Sequence, residues 1–295
     1  MIYLTKVLGL VVLVGVVAGC QSTTTEDEPN LKPVIAGYGE EAFTVGKLLY
    51  ETDFSDTENW VFQIQQSDDP AMQAEVKQEN GMLDLYMPAI GCTAWLNQKF
   101  EGPIAIVYQV KCPTERIDND TIMARDINNF WHSSDPREFD AILTSTDSNY
   151  HGGFVSYHEM LGYYASTGGG AHIGNKTTRF RRYPRWIDGK DVPHLSLNDQ
   201  DGNPEHLIQP GKWHTVQLVA CDGLAQYIQD GKVIYEIKYG DTIMSESRVN
   251  GASVQTETIY SREDYPAYTE GYFGFRLVRT HHQYKNLKIY QLDPK

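Results

Sequence analysis

The sequence predicts a single all-β domain, an antiparallel sandwich of two sheets, and three observations support this fold class. Apolar and polar residues alternate with a period of two, as along residues 83–87 and 216–220. Asn-Gly and Asp-Gly dipeptides at 80–81, 222–223 and 230–231 separate such runs, as in β-hairpins. No long stretch has a helical period, and 19 Tyr, 10 Phe and 5 Trp exclude a disordered chain.

The first 19 residues are expected to be a lipoprotein signal peptide rather than part of the fold. Lys6 supplies a positive charge, and residues 7–18 are apolar but too short for a membrane-spanning helix. The residues before Cys20 have the form of a bacterial lipobox, so we expect lipidation there. This predicts a lipid-anchored protein at the outer membrane or in the periplasm of a Gram-negative bacterium. The alternative is an ordinary signal peptide in which Cys20 has no role.

Two further segments complete the predicted organisation. Residues 20–47 are polar and are expected to form the lipidated N-terminus and a tether. Residues 48–295 are expected to form the β domain. Three cysteines other than Cys20 allow at most one disulfide, and Cys112 continues an apolar alternation that is typical of a small buried side chain.

The charge distribution bears on the partner. The chain has 25 Lys and Arg against 39 Asp and Glu, a formal net charge of -14, which argues against nucleic acid or an anionic membrane surface as the main partner. Residues 160–187 nevertheless contain five basic side chains and no acidic one. A groove lined by this basic segment can therefore hold an anionic ligand, although the protein as a whole is acidic.

Several catalytic patterns are absent from the sequence. It contains no zinc-type Cys/His spacing, no serine-hydrolase elbow, no HExxH and no Walker loop. It also lacks a Glu-x-Asp-x-Glu cluster, so hydrolysis by two carboxylates has no obvious pair. We therefore expect neither a metal nor a cofactor.

Strand alternation sorts the central segment into two faces. If Phe180, Ile127 and Phe275 point into the core, their sequence neighbours point away from it. The residues that this rule puts on one basic, aromatic face are Asp126, Asn128, Phe130, His132, Arg179, Arg181 and Arg276. His281 is expected just beyond the end of its strand. A β-bulge would move a residue to the other face.

The central and C-terminal motifs resemble those of a known family. They are Arg125-Asp126-Ile127-Asn128 with Trp131, Gly162-Tyr163-Tyr164, Thr177-Thr178-Arg179-Phe180-Arg181-Arg182-Tyr183, and Gly274-Phe275-Arg276 with His281. The chain resembles concanavalin A-like lectin/glucanase superfamily domains of bacterial polysaccharide-degradation loci, and it is similar to the oligosaccharide dehydratases of marine ulvan breakdown. The resemblance implies a β-jelly roll whose terminal strands pair and whose concave sheet carries a carbohydrate groove.

The resemblance also implies β-elimination on an ulvan-like, uronic-acid-containing oligo- or polysaccharide, giving a 4,5-unsaturated uronate. Arginine would neutralise the carboxylate, a histidine would take the C5 proton, and Tyr164 would protonate the leaving oxygen. The candidate catalytic residues are His132, His151, Tyr164, Arg179 and His281, and the candidate substrate-binding residues are Asn128, Arg181 and Arg276. A hydroxyl leaving group would make the enzyme a dehydratase, and a sugar would make it a lyase.

Two other functions stay open at this point. The same groove suits a non-catalytic surface glycan-binding protein, because jelly rolls serve as lectins as well as enzymes. A glycoside hydrolase with an unrecognised carboxylate pair is the third possibility. The expected partner is an anionic carbohydrate, with a membrane contacted only through the lipid anchor and the protein acting as a monomer.

Overall fold

The structure is a computed structural model that describes most of the chain after residue 30. The described ranges are 31–55, 58–69, 73–113, 115–117, 120–146, 149–169, 174–199 and 202–295. The predicted signal peptide and the lipidation site at Cys20 lie outside these residues, so both stay predictions. None of the helices that the structure describes is long and apolar enough to cross a membrane.

Strands dominate the described residues, with one short α-helix and three 3₁₀ helices between them. The helical elements are α1 (Gly39–Ala42) and 3₁₀ turns at Phe139–Leu143, Phe154–Tyr157 and Pro204–His206. The strands are β1 (Phe43–Thr52), β2 (Trp60–Ile64), β3 (Glu75–Glu79), β4 (Met82–Leu96), β5 (Phe100–Glu101), β6 (Ile104–Lys111), β7 (Glu115–Ile117), β8 (Asp120–Ile122), β9 (Ile127–Ser134), β10 (Leu161–Thr167), β11 (Thr178–Tyr183), β12 (Trp186–Ile187), β13 (Lys190–Asp191), β14 (His194–Asp199), β15 (Trp213–Cys221), β16 (Leu224–Gln229), β17 (Lys232–Ile237), β18 (Thr242–Val249), β19 (Ala252–Ile259) and β20 (Glu270–Pro294).

The strands form two packed layers, and the predicted antiparallel sandwich is confirmed. The front layer has the order β2-β4-β20-β9-β10-β11-β14-β18-β19, and the back layer has the order β17-β16-β15-β6-β20-β1. Strand β20 belongs to both layers. Residues 272–284 of β20 pair with β9 or β4, and residues 283–294 pair with β6 or β1.

The two layers enclose one large hydrophobic core and are also joined by hydrogen bonds. Buried residues of β6 and β15 in the back layer pack against those of β9, β10 and β11 in the front layer. Trp131 Nε1 donates to the carbonyl oxygen of Val219 at 3.3 Å, and the hydroxyls of Thr167 and Tyr227 are 2.7 Å apart. These bonds satisfy polar groups that would otherwise be costly in the interior.

The predicted hairpin turns are confirmed. Asn80-Gly81, Asp222-Gly223 and Asp230-Gly231 connect β3 to β4, β15 to β16 and β16 to β17. Their φ angles lie between 43° and 89°. Both central residues of a type I′ turn need such left-handed angles, which explains why Asn, Asp and Gly mark these positions.

The three cysteines within the described residues are free and buried. Cys92, Cys112 and Cys221 form no disulfide with one another. Cys112 lies in the main core, as expected from its alternation pattern. Burial raises the pKa of Cys92 to about 12 and that of Cys221 to about 11, so these thiols stay protonated near neutral pH.

The C-terminal part of the predicted tether belongs to the domain, which therefore begins before the expected boundary at residue 48. Gln217 exchanges two hydrogen bonds with the backbone of Val34, at 2.9 Å and 2.8 Å. Strand β1 begins at Phe43 and pairs with the end of β20. These residues are polar overall, but their backbone is held by the sheet, which composition does not reveal. The expected pairing of the two terminal strands is confirmed by the same β1–β20 ladder.

The aromatic packing around Phe275 predicts a large effect on stability. Its fully buried ring stacks on Tyr284 at a centroid distance of 3.9 Å and on Trp60 at 5.4 Å. Because a cavity would remain, we expect Phe275→Ala to lower the free energy of unfolding by about 3–5 kcal/mol, measured by urea denaturation. The matched control is Val254→Ala in β19, where the side chain is exposed and the expected change is under about 0.5 kcal/mol. Equal effects of the two changes would contradict this packing.

Candidate functional site

A row of polar side chains crosses the outer face of the front layer. Each member alternates with a core residue on its own strand, because Ile127, Ala165, Phe180 and Phe275 all point into the main core. The strand registers place these polar residues side by side in the order Gln63, Thr93, Arg276, Asn128, Ser166, Arg179 and Asn198. The row therefore follows from alternation on seven adjacent strands.

A cleft of about 460 Å³ opens over the middle of this row. Its lining residues are Gln65, Asp126, Asn128, His151, Gly153, Phe154, Val155, Tyr164, Arg179, Arg276 and Val278. Five of the residues proposed from the sequence meet here, namely Asn128, His151, Tyr164, Arg179 and Arg276. No group of three or more His, Cys, Asp or Glu side chains within the described ranges is placed to hold a metal ion.

Tyr164 lies at the wall of the cleft with its hydroxyl held by a neighbour. The side chain is 2% exposed, and its hydroxyl donates to Asn128 Oδ1 at 3.2 Å. Burial raises the pKa of Tyr164 to about 12, with the neighbouring Tyr183 acting in the same direction and Arg179 among the cations that oppose them. The phenol is therefore protonated throughout the neutral pH range and can act as a proton donor.

Two arginines and one carboxylate give the cleft a net positive charge. Arg179 is partly exposed, and the described residues offer its guanidinium no hydrogen bond or ion pair. Arg276 is buried, its guanidinium lies 5.4 Å from the ring of Phe154, and its Nε has no hydrogen-bond partner among these residues. Asp126 is the carboxylate that lines the cleft. Two cations against one anion favour a ligand with a single negative charge.

One end of the cleft is closed by the loop that carries His151. Gly91 and Gly152 allow this loop to lie directly against β2 and β4. A Cβ atom on Gly91 would come within 2.3 Å of the Gly152 carbonyl oxygen, and one on Gly152 within 2.4 Å of the Gln65 nitrogen. Close backbone contact is therefore what brings His151 to the cleft. Its Nδ1 accepts a long hydrogen bond of 3.4 Å from the backbone N–H of Gly153.

A cover of residues 139–146 and 149–157 packs on the next row of the front layer. It buries Trp95 and Phe130 in a second aromatic cluster that also contains Tyr164. Gln63 holds the cover in place, because its Nε2 donates to the carbonyl oxygen of Ile142 at 2.8 Å. Its Oε1 accepts from Trp95 Nε1 at 2.9 Å and from the Tyr157 hydroxyl at 2.8 Å. The cover thus leaves only part of the outer face open as the cleft.

Arg181 does not line the cleft. It lies on the predicted face, but beside Tyr164 and away from the open part, with its guanidinium 5.9 Å from the Tyr164 ring. Its Nε donates to Ser196 Oγ at 3.4 Å, and the side chain is buried. A direct role in substrate binding is therefore not supported by its position.

His132 is also absent from the cleft, because the strand is irregular at this residue. Its φ is 46°, and the pairing of β9 with both neighbours shifts register around it. The ring is turned to Tyr268, whose carbonyl oxygen lies 2.7 Å from Nδ1. The prediction that His132 shares a face with Asn128 is wrong for this reason.

His281 lies in a different pocket from the cleft. Strand β20 does not end after Arg276 but continues to Pro294, with an irregularity between Val278 and Thr280. Arg279 in this irregularity has a φ of 50°. His281 Nε2 is 2.8 Å from Asp84 Oδ1, and both residues line a second pocket. Contrary to the expectation from the sequence, the structure therefore does not bring His281 together with the other candidate catalytic residues.

Six of the lining residues were not proposed from the sequence as site residues, and three of these, Asp126, Phe154 and Gln65, have polar or aromatic side chains. Asp126 lies on the face that strand alternation predicts, and its position two residues before Asn128 is the sequence signal for its place in the cleft. Phe154 and Gln65 enter through the cover and through the end of β2. No local pattern marks these two, because their positions depend on long-range packing.

Comparison with known proteins identifies the family of the chain. The family model described as "Domain of unknown function (DUF6250)" matches residues 87–246, which is more than half of the chain. The chain belongs to this family. The DUF6250 segment contains Asn128, His151, Tyr164 and Arg179 of the cleft, whereas Arg276 lies beyond it. No curated protein matches the sequence.

Solved structures with similar folds come from several classes of protein. A protein of unknown function with a galectin-like fold from Bacillus subtilis has a TM-score of 0.52 and 14% identity, covering 86% of this chain and 100% of its own. A carbohydrate-binding module, CBM66, from Bacillus subtilis has a TM-score of 0.41 and 9% identity, covering 80% and 95%. An endo-β-1,3-glucanase from Pyrococcus furiosus has a TM-score of 0.45 and 9% identity, covering 86% and 99%. At such identities the likeness concerns the fold, and the first of these supports the jelly-roll-type sandwich.

The buried histidines predict acid sensitivity of this DUF6250 protein. Burial lowers the pKa of His132 to about 4, and those of His158, His194 and His282 are lowered as well. Protonation therefore favours the unfolded chain. We expect stability to be full above about pH 6.5 and to fall progressively as the pH drops from there to about 4, with His132 alone accounting for a loss of about 3 kcal/mol. Urea unfolding between pH 7 and pH 4 measures this loss.

A matched variant separates this effect from general acid denaturation. His132→Asn removes the titrating group, and Asn tolerates the left-handed backbone at this position. The free energy of unfolding should fall less steeply with decreasing pH in the variant than in the unaltered protein. An unchanged slope would show that His132 does not titrate as described.

The role of Gln63 in holding the cover predicts a local effect. Gln63→Ala removes the partner of Trp95 Nε1 and of the Tyr157 hydroxyl, so we expect a loss of about 1–3 kcal/mol in the free energy of unfolding. Limited proteolysis should cut the cover of the variant faster than that of the unaltered protein. Gln66→Ala at a nearby exposed position is the control and should leave both measurements unchanged.

Proposed function

We propose that this protein catalyses β-elimination on a uronic-acid unit of an oligo- or polysaccharide, giving a 4,5-unsaturated uronate. The observation that carries the proposal is the meeting of Arg179, Tyr164 and His151 at one cleft. Arg179 has no ion pair among the described residues, so its charge is available to a ligand. The reaction needs a cation for the carboxylate, an acid and a base, and the guanidinium, the protonated phenol and the imidazole can supply these three roles.

Arg179 is the proposed binding residue for the uronate carboxylate. A guanidinium grips a carboxylate through two parallel hydrogen bonds, and it stabilises the additional charge that develops when the C5 proton leaves. The Asn128 amide group can donate to the same carboxylate, because its Oδ1 already accepts from Tyr164. Arg276 adds a second positive charge at the cleft. The carboxylate of Asp126 offsets one of the two, so the net charge of these three side chains is one positive unit.

His151 is the proposed base. The hydrogen bond from Gly153 to its Nδ1 is long at 3.4 Å, so the lone pair of that nitrogen is only weakly engaged. A neutral imidazole is well suited to remove a proton near neutral pH. Because His132 and His281 lie elsewhere, His151 is the histidine that we propose for this step, and its place in the lining of the cleft supports the proposal.

Tyr164 is the proposed acid. The C5–H bond breaks towards His151, the electron pair forms the C4–C5 double bond, and the C4–O bond breaks. The departing oxygen then takes the proton of the Tyr164 hydroxyl, whose raised pKa keeps it protonated until needed. A hydroxyl leaving group yields water, and a sugar leaving group yields a shortened chain. The same residues serve both outcomes.

Hydrolysis through two carboxylates is less well supported. Asp126 is the one carboxylate among the described residues that line the cleft, and the usual glycosidase mechanism needs two. Glycan binding without catalysis needs only the basic and aromatic surface. Glycan binding without catalysis is therefore one of the outcomes that an assay with oligosaccharides can give.

The proposal is tested by incubating the protein with ulvan-derived oligosaccharides and following the ultraviolet absorbance of the conjugated double bond. We expect an absorbance increase with the unaltered protein. Tyr164→Phe removes the proton donor but keeps the ring, so kcat should fall by about 10²–10⁴-fold. Arg179→Ala should lower kcat/KM by about 10²–10³-fold, because charge stabilisation at the carboxylate is lost.

The controls separate elimination from its alternatives. Lys176→Ala changes an exposed cation in the same basic segment that does not line the cleft, and it should leave turnover unchanged. If the protein binds the oligosaccharide but the absorbance does not increase, the result would favour glycan binding without catalysis over elimination. New reducing ends without absorbance would indicate hydrolysis, and full activity of Tyr164→Phe would remove this residue from the mechanism.

A further inference from the structure

The second pocket, which contains His281, is built by three adjacent strands away from the cleft. It has a volume of about 490 Å³. The strand registers align Glu75, Tyr86 and His281 in one row across β3, β4 and β20, and they align Lys77, Asp84 and Gln283 in the next. The pocket wall therefore consists of two complete cross-strand rows.

One backbone irregularity creates this wall. Before Arg279, the odd-numbered residues Phe273, Phe275 and Leu277 of β20 point into the core. The register shift between Val278 and Thr280 reverses the alternation, so His281 points to the pocket side instead. A histidine that regular alternation would bury in the core is thereby brought to a surface pocket.

The polar groups of the pocket are fixed before any ligand arrives. Asp84 Oδ1 lies 2.8 Å from His281 Nε2, and Asp84 Oδ2 accepts from Gln283 Nε2 at 2.8 Å. Burial raises the pKa of Asp84, but these two hydrogen bonds outweigh it and hold the pKa below its ordinary value. Each carboxylate oxygen keeps a further lone pair. Gln283 Oε1 is buried and has no hydrogen-bond partner in the described part of the chain.

These features select a class of ligand. Asp84 and Gln283 present neighbouring hydrogen-bond acceptors, which suit a pair of adjacent hydroxyl groups. The half-buried Tyr86 ring adds an apolar surface of the kind that lines many sugar sites. Three carboxylates stand against one lysine and one histidine in the lining, so an anionic sugar would be repelled. Lys77 neutralises Glu75 through an ion pair, which leaves the wall polar rather than strongly charged.

We propose that the second pocket binds a neutral sugar unit through Asp84, Gln283 and Tyr86. This would be a second glycan site, with a preference opposite to that of the basic cleft. The proposal does not depend on the chemistry proposed for the cleft, because the two pockets share no lining residue. A polysaccharide that contains both neutral and uronic-acid units could then be held at two places on one protein.

The test is frontal affinity chromatography on the immobilised protein. The probes are neutral gluco-, xylo-, manno-, galacto- and rhamno-oligosaccharides and, separately, oligomers of glucuronic acid. We expect at least one neutral probe to be retained by the unaltered protein. Tyr86→Ala and Asp84→Asn should each weaken that retention by about tenfold or more, because each removes a main contact.

Variants in the cleft provide the matched control. Arg179→Ala should leave retention of the neutral probe unchanged, and Tyr86→Ala should leave retention of the glucuronic-acid oligomers unchanged. Thermal unfolding of each variant checks that the fold persists, which we expect since Tyr86 is only partly buried and Asn matches Asp in size. The proposal is overturned if no neutral probe is retained, or if its retention survives Tyr86→Ala and Asp84→Asn. If the unaltered protein retains a neutral probe but shows no elimination activity, the result would count against the function proposed for the cleft and not against the second site.

Discussion

The alternation of side chains along four central strands is the constraint on which the rest of the structure depends. In β20, β9, β10 and β11, every second side chain enters a core that also holds the back layer. The remaining side chains have only one place to go, the outer face, and there they form the polar row. Moving Phe275 or Phe180 out of the core would therefore also displace Arg276 or Arg179. Stability and the chemistry of the cleft are set by the same register.

Departures from this alternation decide where the histidines lie. His132 and Arg279 both have positive φ angles, and the strand pairing shifts at each of them. The first irregularity turns His132 to the carbonyl oxygen of Tyr268, and the second turns His281 to the pocket with Asp84. The outer face is thus divided into regions with different charge. The cover adds a second division, since it buries Phe130 and leaves Asn128 open to the cleft.

Sequence reasoning succeeded where strand periodicity alone determines position. Asn128, Arg179 and Arg276 follow directly from core neighbours one residue away, and the Asp-Gly hairpins follow from local turn geometry. It failed for His132 and His281, because a bulge has no reliable sequence signature and one extra residue reverses the face. Strand periodicity also does not predict that Arg181 lies beside the covered row, or that Gln63 holds the cover. Both depend on contacts between segments far apart in the chain.

The position of β20 in the chain has a consequence for how the protein is made. This strand follows all the others in sequence, yet it pairs with β1, β4, β5, β6 and β9 at the centre of both layers. A growing polypeptide therefore cannot complete either layer until β20 has left the ribosome. The strands that precede β20 therefore keep unpaired edges until β20 has been synthesised, and such edges favour aggregation during folding.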